Sequence, residues 1–152
     1  MVSPTPRPGI LSIEPYVPGK SSIPGQTKTI KLSSNEGALG PSPRALAALR
    51  KAAEAMHRYP DGGSVDLRAA LGKRFGLDPE RIVCGTGSDE LIALLCKAYA
   101  GPGDEVLYSQ YGFVMYPIGA YAAGATPVAA PETDYTASVD ALLAKANART
   151  KL

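Results

Sequence analysis

Residues 82–113, IVCGTGSDELIALLCKAYAGPGDEVLYSQYGF, decide how the rest of the chain is read. A short apolar run at 82–84 enters the glycine turn Gly85-Thr86-Gly87-Ser88 and passes directly into a helix. Leu91, Leu94, Leu95 and Ala98 recur at i, i+3, i+4 and i+7, the spacing of one helical face. Gly101 and Pro102 stop that helix, and a second strand follows from Glu105. A helix that starts on a glycine turn presents unpaired N–H groups and the positive end of its dipole. That is an anion site, most often one for phosphate.

Outward from this stretch the chain alternates. Strands are predicted at 82–84, 104–109 and 125–130, and helices at 88–100, 112–123 and 138–147. The last helix carries Val139, Leu142, Leu143 and Ala146 at helical spacing. Strand–helix alternation of this kind implies right-handed crossovers and an α/β fold with a mostly parallel sheet. The chain reaches Thr150-Lys151-Leu152 where the rhythm calls for a further strand, so it reads as truncated.

Towards the N-terminus the character changes. Prolines at 4, 6, 8, 15, 18 and 24 make residues 1–28 an extended arm, which either dangles or lies across a partner. A short strand is predicted at 29–33, followed by a loop rich in turn formers. Ser42 and Pro43 start a helix whose buried stripe is expected to be Leu46, Leu49, Ala53 and Met56. Ser64 is expected to cap the next helix, with Leu67, Leu71 and Phe75 inward and Gly76 closing it. The chain thus divides into an arm (1–28), a loop-and-helix linking region (29–80) and an incomplete α/β domain (81–152).

With 152 residues, 45% hydrophobic and 20% charged, the chain reads as one ordinary globular domain. A net charge of +2 and scattered basic residues exclude a nucleic-acid stripe. Residues 111–131 carry no charge, but Pro117, Pro127, Pro131 and three glycines make them a helix plus a strand and no membrane span. Cys84, Cys96 and the lone His57 form neither a disulfide framework nor a metal site. The N-terminus lacks an apolar leader core, and the expectation is a cytoplasmic protein.

The phosphate site has several readings. Gly85-Thr86-Gly87 begins like a dinucleotide fingerprint, but Glu90 stands where the third glycine belongs. The next strand ends on Ser109 and Gln110 and so lacks the ribose-binding acid, and no GK[ST] follows for a Walker loop. A plainer reading is that Gly85 and Gly87 only let strand and helix approach closely. Against it, the loop SQYGF sets Tyr111 and Phe113 at the C-terminal end of a parallel strand, the edge where ligands sit in open α/β sheets. A phosphate cradle beside an aromatic plate suits a flat phosphorylated ring such as pyridoxal phosphate. Phe113 as a plain core aromatic stays open as an alternative.

Four blocks in order, KLSSNEGALGPSP, RYPDGG, GTGSDELI and GDEVLYSQYGFVMYPIGA, resemble the N-terminal part of histidinol-phosphate aminotransferases. These are pyridoxal-phosphate enzymes of the aspartate aminotransferase fold type. The resemblance implies part of their large, mostly parallel-sheet domain. It implies that Gly87, Ser88 and Asp89 bind the cofactor phosphate and that Phe113 stacks on its ring. It implies further that Tyr59 reaches the phosphate of a neighbouring subunit in a homodimer, that Tyr16 approaches the substrate's phosphate, and that Asn35 lies near its carboxylate. The usual Asn-Pro after Glu36 is Gly37-Ala38 here, which loosens that loop. The implied partners are glutamate and a phosphorylated amino or keto acid, with no nucleic acid, membrane or metal.

In the family the Schiff-base lysine, the carboxylate partner of the cofactor nitrogen and the substrate-binding arginines follow later in the chain. The lysines present (20, 28, 31, 51, 73, 97, 145 and 151) match no cofactor-lysine motif. The expectation is therefore a histidinol-phosphate transaminase fragment that is inactive alone. The alternatives are another aminotransferase or decarboxylase of the same fold, of aromatic or aspartate type, and a non-catalytic remnant.

Overall fold

The computed structural model describes residues 4–20, 22–25, 27, 30–31, 36–37 and 39–152. The chain falls into two compact units, residues 1–16 with 82–152 and residues 17–81.

The first unit is built on a parallel pair. Strands β1 (Glu105–Ser109) and β2 (Thr126–Ala130) run in register from Glu105 opposite Thr126 to Ser109 opposite Ala130. A parallel pair needs a long crossover, and residues 110–125 supply it with one helix, Met115–Ala123. Pro117 falls in that helix's first turn, where a missing N–H leaves no bond unmade. Pro127 inside β2 marks an edge strand, because it has no donor for a further neighbour.

On the other side of β1 the chain returns. Glu105 N–H donates to the Arg149 carbonyl at 2.8 Å, Lys151 N–H to the Glu105 carbonyl at 3.0 Å, and Leu107 N–H to the Leu152 carbonyl at 2.8 Å. These bonds form an isolated parallel bridge, Glu105 with Thr150, beside the two-stranded sheet. The Glu105 carboxylate, only 6% exposed, clasps this return. It accepts from Asn147 Nδ2 at 2.7 Å and from Arg149 Nε at 2.8 Å. Those bonds, led by Asn147, hold its carboxyl below the ordinary glutamate range.

In chain order the helices are α1 (Pro43–Ala53), α2 (Val65–Phe75), α3 (Ser88–Tyr99), α4 (Met115–Ala123) and α5 (Val139–Lys145). The core of the first unit is Cys96, Val106, Ala120 and Ala125, flanked by Ile92, Ala123 and Leu152. Gly119 brings α4 onto α3, since a Cβ there would lie 3.1 Å from Cys96 Sγ. Burial pushes the Cys96 thiol up, so it packs as a small neutral hydrophobe. The N-terminal arm docks on the same unit. A 3-10 turn (Ile10–Ser12) lies against α4, Gly9 passes the Tyr121 ring, and the Arg7 guanidinium donates to the Ala122 carbonyl at the helix end. Residues 7–12 of the arm thus lie against their own chain.

Three expectations need correction. Residues 82–84 form no strand among the described residues; strand backbone needs a neighbour for its N–H and C=O groups, and Val83 is 74% exposed. The stripe expected to be buried on α1 is open, with Leu49 67% and Met56 81% exposed, and among the described residues no helix or strand of the second unit packs closely on it. Ser64 does not cap α2: it takes φ 47°, and the Asp61 carboxylate instead accepts from Gly63 and Val65 N–H at 2.9 and 2.7 Å. Those amides, Val65 first, hold the Asp61 carboxyl below its ordinary value. Of the strand expected at 29–33, residues 29, 32 and 33 lie outside the described residues, and 30 and 31 are not in a strand.

Candidate functional site

The site begins at the glycine turn. Gly87 is the N-cap of α3 with φ 103° and ψ 179°, a conformation that a Cβ would strain. It has no side chain to offer, and among the described residues nothing in the protein accepts from the Ser88 or Asp89 N–H. Two other helices supply a serine acceptor, Ser42 Oγ taking the Ala45 N–H of α1 at 3.1 Å and Ser138 Oγ the Ala141 N–H of α5 at 3.2 Å, while α4, behind Val114, has no side-chain cap either. The first turn of α3 is left open, with its amides and the Ser88 hydroxyl available to an anion. Open space surrounds the position of a Gly87 Cβ, so backbone and ligand can meet closely there.

Glu90, which replaces the third glycine of a dinucleotide fingerprint, has a different task. Its Oε2 accepts from Thr86 N–H at 2.7 Å and from Thr86 Oγ1 at 3.1 Å. These two bonds, the amide first, hold the Glu90 carboxyl below its ordinary value. Gly85 makes the fold-back possible, because a Cβ there would stand 2.8 Å from Glu90 Oε2. A glutamate three positions after the N-cap usually reaches back to the N-cap amide; here it reaches one residue further, to Thr86.

The second part of the site follows β1. Gly112 N–H donates to the Ser109 carbonyl at 2.7 Å and closes a tight turn, and a Cβ on Gly112 would collide with that carbonyl at 2.8 Å. Phe113 comes next, 41% exposed, edge-on to Tyr116 at 6.2 Å and 87°. Ile92 from the second turn of α3 lines one cavity with Tyr108, Ser109 and Tyr116, and Gly87, Ser88, Asp89 and Phe113 are not among its lining residues. Neighbouring rings extend the aromatic wall, Tyr111 against Tyr135 at 4.9 Å.

Of the other expected residues, Tyr16 and Tyr59 are described and Asn35 is not. Tyr16 belongs to the same unit and is 62% exposed in the extended arm. Tyr59 lies in the other unit, fully exposed in the turn after α1. Asn35 lies outside the described residues. Among the described residues no His, Cys, Asp and Glu side chains are grouped to hold a metal, and no helix is long and apolar enough to cross a membrane.

Sequence reading missed one residue here, Glu132. Its carboxylate accepts from the Ser109 hydroxyl and, at 3.2 Å, from Tyr111 N–H, while its own N–H donates to Gln110 Oε1 at 3.3 Å. No local pattern announces partners more than twenty positions away.

Residues 27–152 match the family of class I and II aminotransferases. The chain belongs to that family. It is 66% identical over its whole length to the histidinol-phosphate aminotransferase of Paramagnetospirillum magneticum and 62% identical to that of Rhodospirillum centenum. It spans 42% of the length of each of these relatives. Among solved structures it is similar to a histidinol-phosphate aminotransferase from Sinorhizobium meliloti in complex with pyridoxal-5'-phosphate. There the TM-score is 0.69 at 31% identity, covering 73% of this chain and 30% of that one. It is also similar to N-succinyldiaminopimelate aminotransferase from Mycobacterium tuberculosis, with a TM-score of 0.62 at 31% identity, covering 72% of this chain and 32% of that one. The parallel pair with its helical crossover is thus a portion of the aminotransferase α/β fold.

Proposed function

We propose that these residues form the phosphate-and-ring end of the cofactor site of a histidinol-phosphate aminotransferase. Such an enzyme moves an amino group between L-glutamate and imidazole acetol phosphate in histidine biosynthesis. The observation that carries the reading is 66% identity, across the whole chain, with a relative of that name. The open first turn of α3 supports it, because an uncapped glycine cup fits a phosphate dianion.

The cofactor would be pyridoxal 5'-phosphate, which when bound supplies an electron sink for amino transfer. This chain's residues anchor and orient it. Ser88 and Asp89 N–H and the Ser88 hydroxyl hold the phosphate, Gly87 lets the backbone approach it, and Phe113 lies along the ring face. Tyr59 of one protomer reaching the phosphate in its partner implies a homodimer, and Tyr16 and Asn35 are assigned to the substrate's phosphate and carboxylate. The cytoplasm is the proposed compartment.

Amino transfer also requires a lysine that bonds the cofactor, and no lysine of these residues is assigned to it. The test is to incubate the 152-residue protein with pyridoxal 5'-phosphate, reduce with borohydride, and assay with glutamate and imidazole acetol phosphate. Saturable cofactor binding without turnover is expected. Failure to bind the cofactor overturns the site, and stoichiometric pyridoxyl labelling of one lysine overturns the assignment of the residues.

One observation favours a second reading, an aminotransferase for another substrate: the Mycobacterium tuberculosis enzyme is as identical to this chain as the Sinorhizobium meliloti one. A phosphate-bearing substrate analogue competing no better than a phosphate-free amino acid would favour it.

A further inference from the structure

Phe113 can hold a ring in one orientation only if the turn before it is rigid. That turn is short of local partners. Of its N–H groups, Gly112's is satisfied within the turn by Ser109, and Gln110's by the Ala130 carbonyl of β2 at 2.9 Å. The remaining one, Tyr111's, points to the Glu132 carboxylate at 3.2 Å, which also receives the Ser109 hydroxyl. Gln110 Oε1 returns the favour by accepting Glu132 N–H at 3.3 Å. A single side chain from the loop after β2 therefore ties both ends of the turn.

That loop is itself tightly held. Thr136 N–H donates to the Thr133 carbonyl at 3.0 Å, and the two residues between them, Asp134 and Tyr135, both take left-handed φ, 50° and 55°. Bulky residues enter that region only under constraint. The conformation brings the Tyr135 ring against Tyr111, a second brace on the same turn. The other flank of Phe113 is fixed by α4, where Tyr116 N–H donates to the Phe113 carbonyl at 3.0 Å.

From this geometry we infer that Glu132 is a positioning residue for the ring half of the cofactor site, acting through Tyr111 and Ser109 on Phe113. The inference rests on the cofactor reading above. It separates two halves of one site: the phosphate is held by the start of α3, which Glu132 does not touch, and the ring by the turn that Glu132 braces. A residue serving the fold as a whole would affect both halves alike.

The test uses the free protein first. In Glu132→Ala, amide hydrogen exchange across 109–113 should rise roughly tenfold, as for loss of one hydrogen bond, with 85–92 unchanged. Titration with pyridoxal 5'-phosphate should then show affinity lowered about fivefold and the ring's induced circular dichroism lost, while inorganic phosphate binds as before. Glu132→Gln keeps a carbonyl oxygen for Tyr111 and should recover most of both signals. Unchanged exchange at 109–113, or equal loss of both ligands in Glu132→Ala, overturns the role of Glu132. Wild-type protein that binds neither ligand overturns the cofactor reading and this role with it. Wild-type protein that binds both, with Glu132→Ala indistinguishable from it, overturns the role alone.

Discussion

Two helix starts in this chain make opposite choices. At α5, Ser138 turns its hydroxyl onto the Ala141 amide and closes the helix end with the chain's own atoms. At α3, Gly87 offers nothing, and Glu90, which could have served as a local acceptor, is spent on Thr86. A glycine N-cap costs only about a few tenths of a kcal/mol against serine, so the helix can start there with its amides open. The contrast teaches where to look for a ligand: at the helix end the protein leaves unfinished.

The contrast can be broken most severely at Gly87. Gly87→Val should abolish binding of inorganic phosphate and pyridoxal 5'-phosphate, a loss of about tenfold or more by calorimetry, because a β-branched residue cannot hold φ 103°. Retained binding would show that the open turn is not the anion site. Next comes a control on packing. In Gly72→Ala the new methyl would lie 2.7 Å from the Leu77 carbonyl and 2.8 Å from Pro79 Cγ, so about 1–3 kcal/mol of stability should be lost in denaturant melts, with phosphate binding unaffected.

The caps themselves sharpen the comparison. Ser138→Ala should lower stability by about 1 kcal/mol with no change in phosphate binding, whereas Ser88→Ala should weaken phosphate binding and leave stability within about 0.5 kcal/mol. Equal behaviour of the two variants would erase the distinction. The smallest effect at neutral pH concerns Glu105, already ionised in its clasp. Its folded carboxyl lies below the ordinary 4.5, so its contribution is fully present above that value and lost as pH falls through the folded one. Acid unfolding followed by circular dichroism should show this loss in wild type and not in Glu105→Gln.

Much of the fold was legible because its signals are local. Helical periodicity located α3 and α5, Ser42-Pro43 marked the start of α1, and the strand–helix rhythm implied the parallel pair. What stayed hidden depends on distant partners. Residues 82–84 have strand composition, but pairing is a property of two segments. The apolar spacing of α1 announces a buried face without saying what buries it. The open glycine turn before α3 and the tight turn before Phe113 could be read from their glycines, while the bonds of Glu132 could not, since its partners become neighbours only once β1 and β2 are side by side.

The arm's docking on α4 has a consequence for how the chain is made. Arg7 meets the Ala122 carbonyl across 115 positions of sequence. On a ribosome adding ~5–20 residues per second, the arm waits roughly 6–23 s for its seat to be synthesised. Its six early prolines suit that interval, because a stretch poor in backbone donors is a poor template for pairing with other nascent chains.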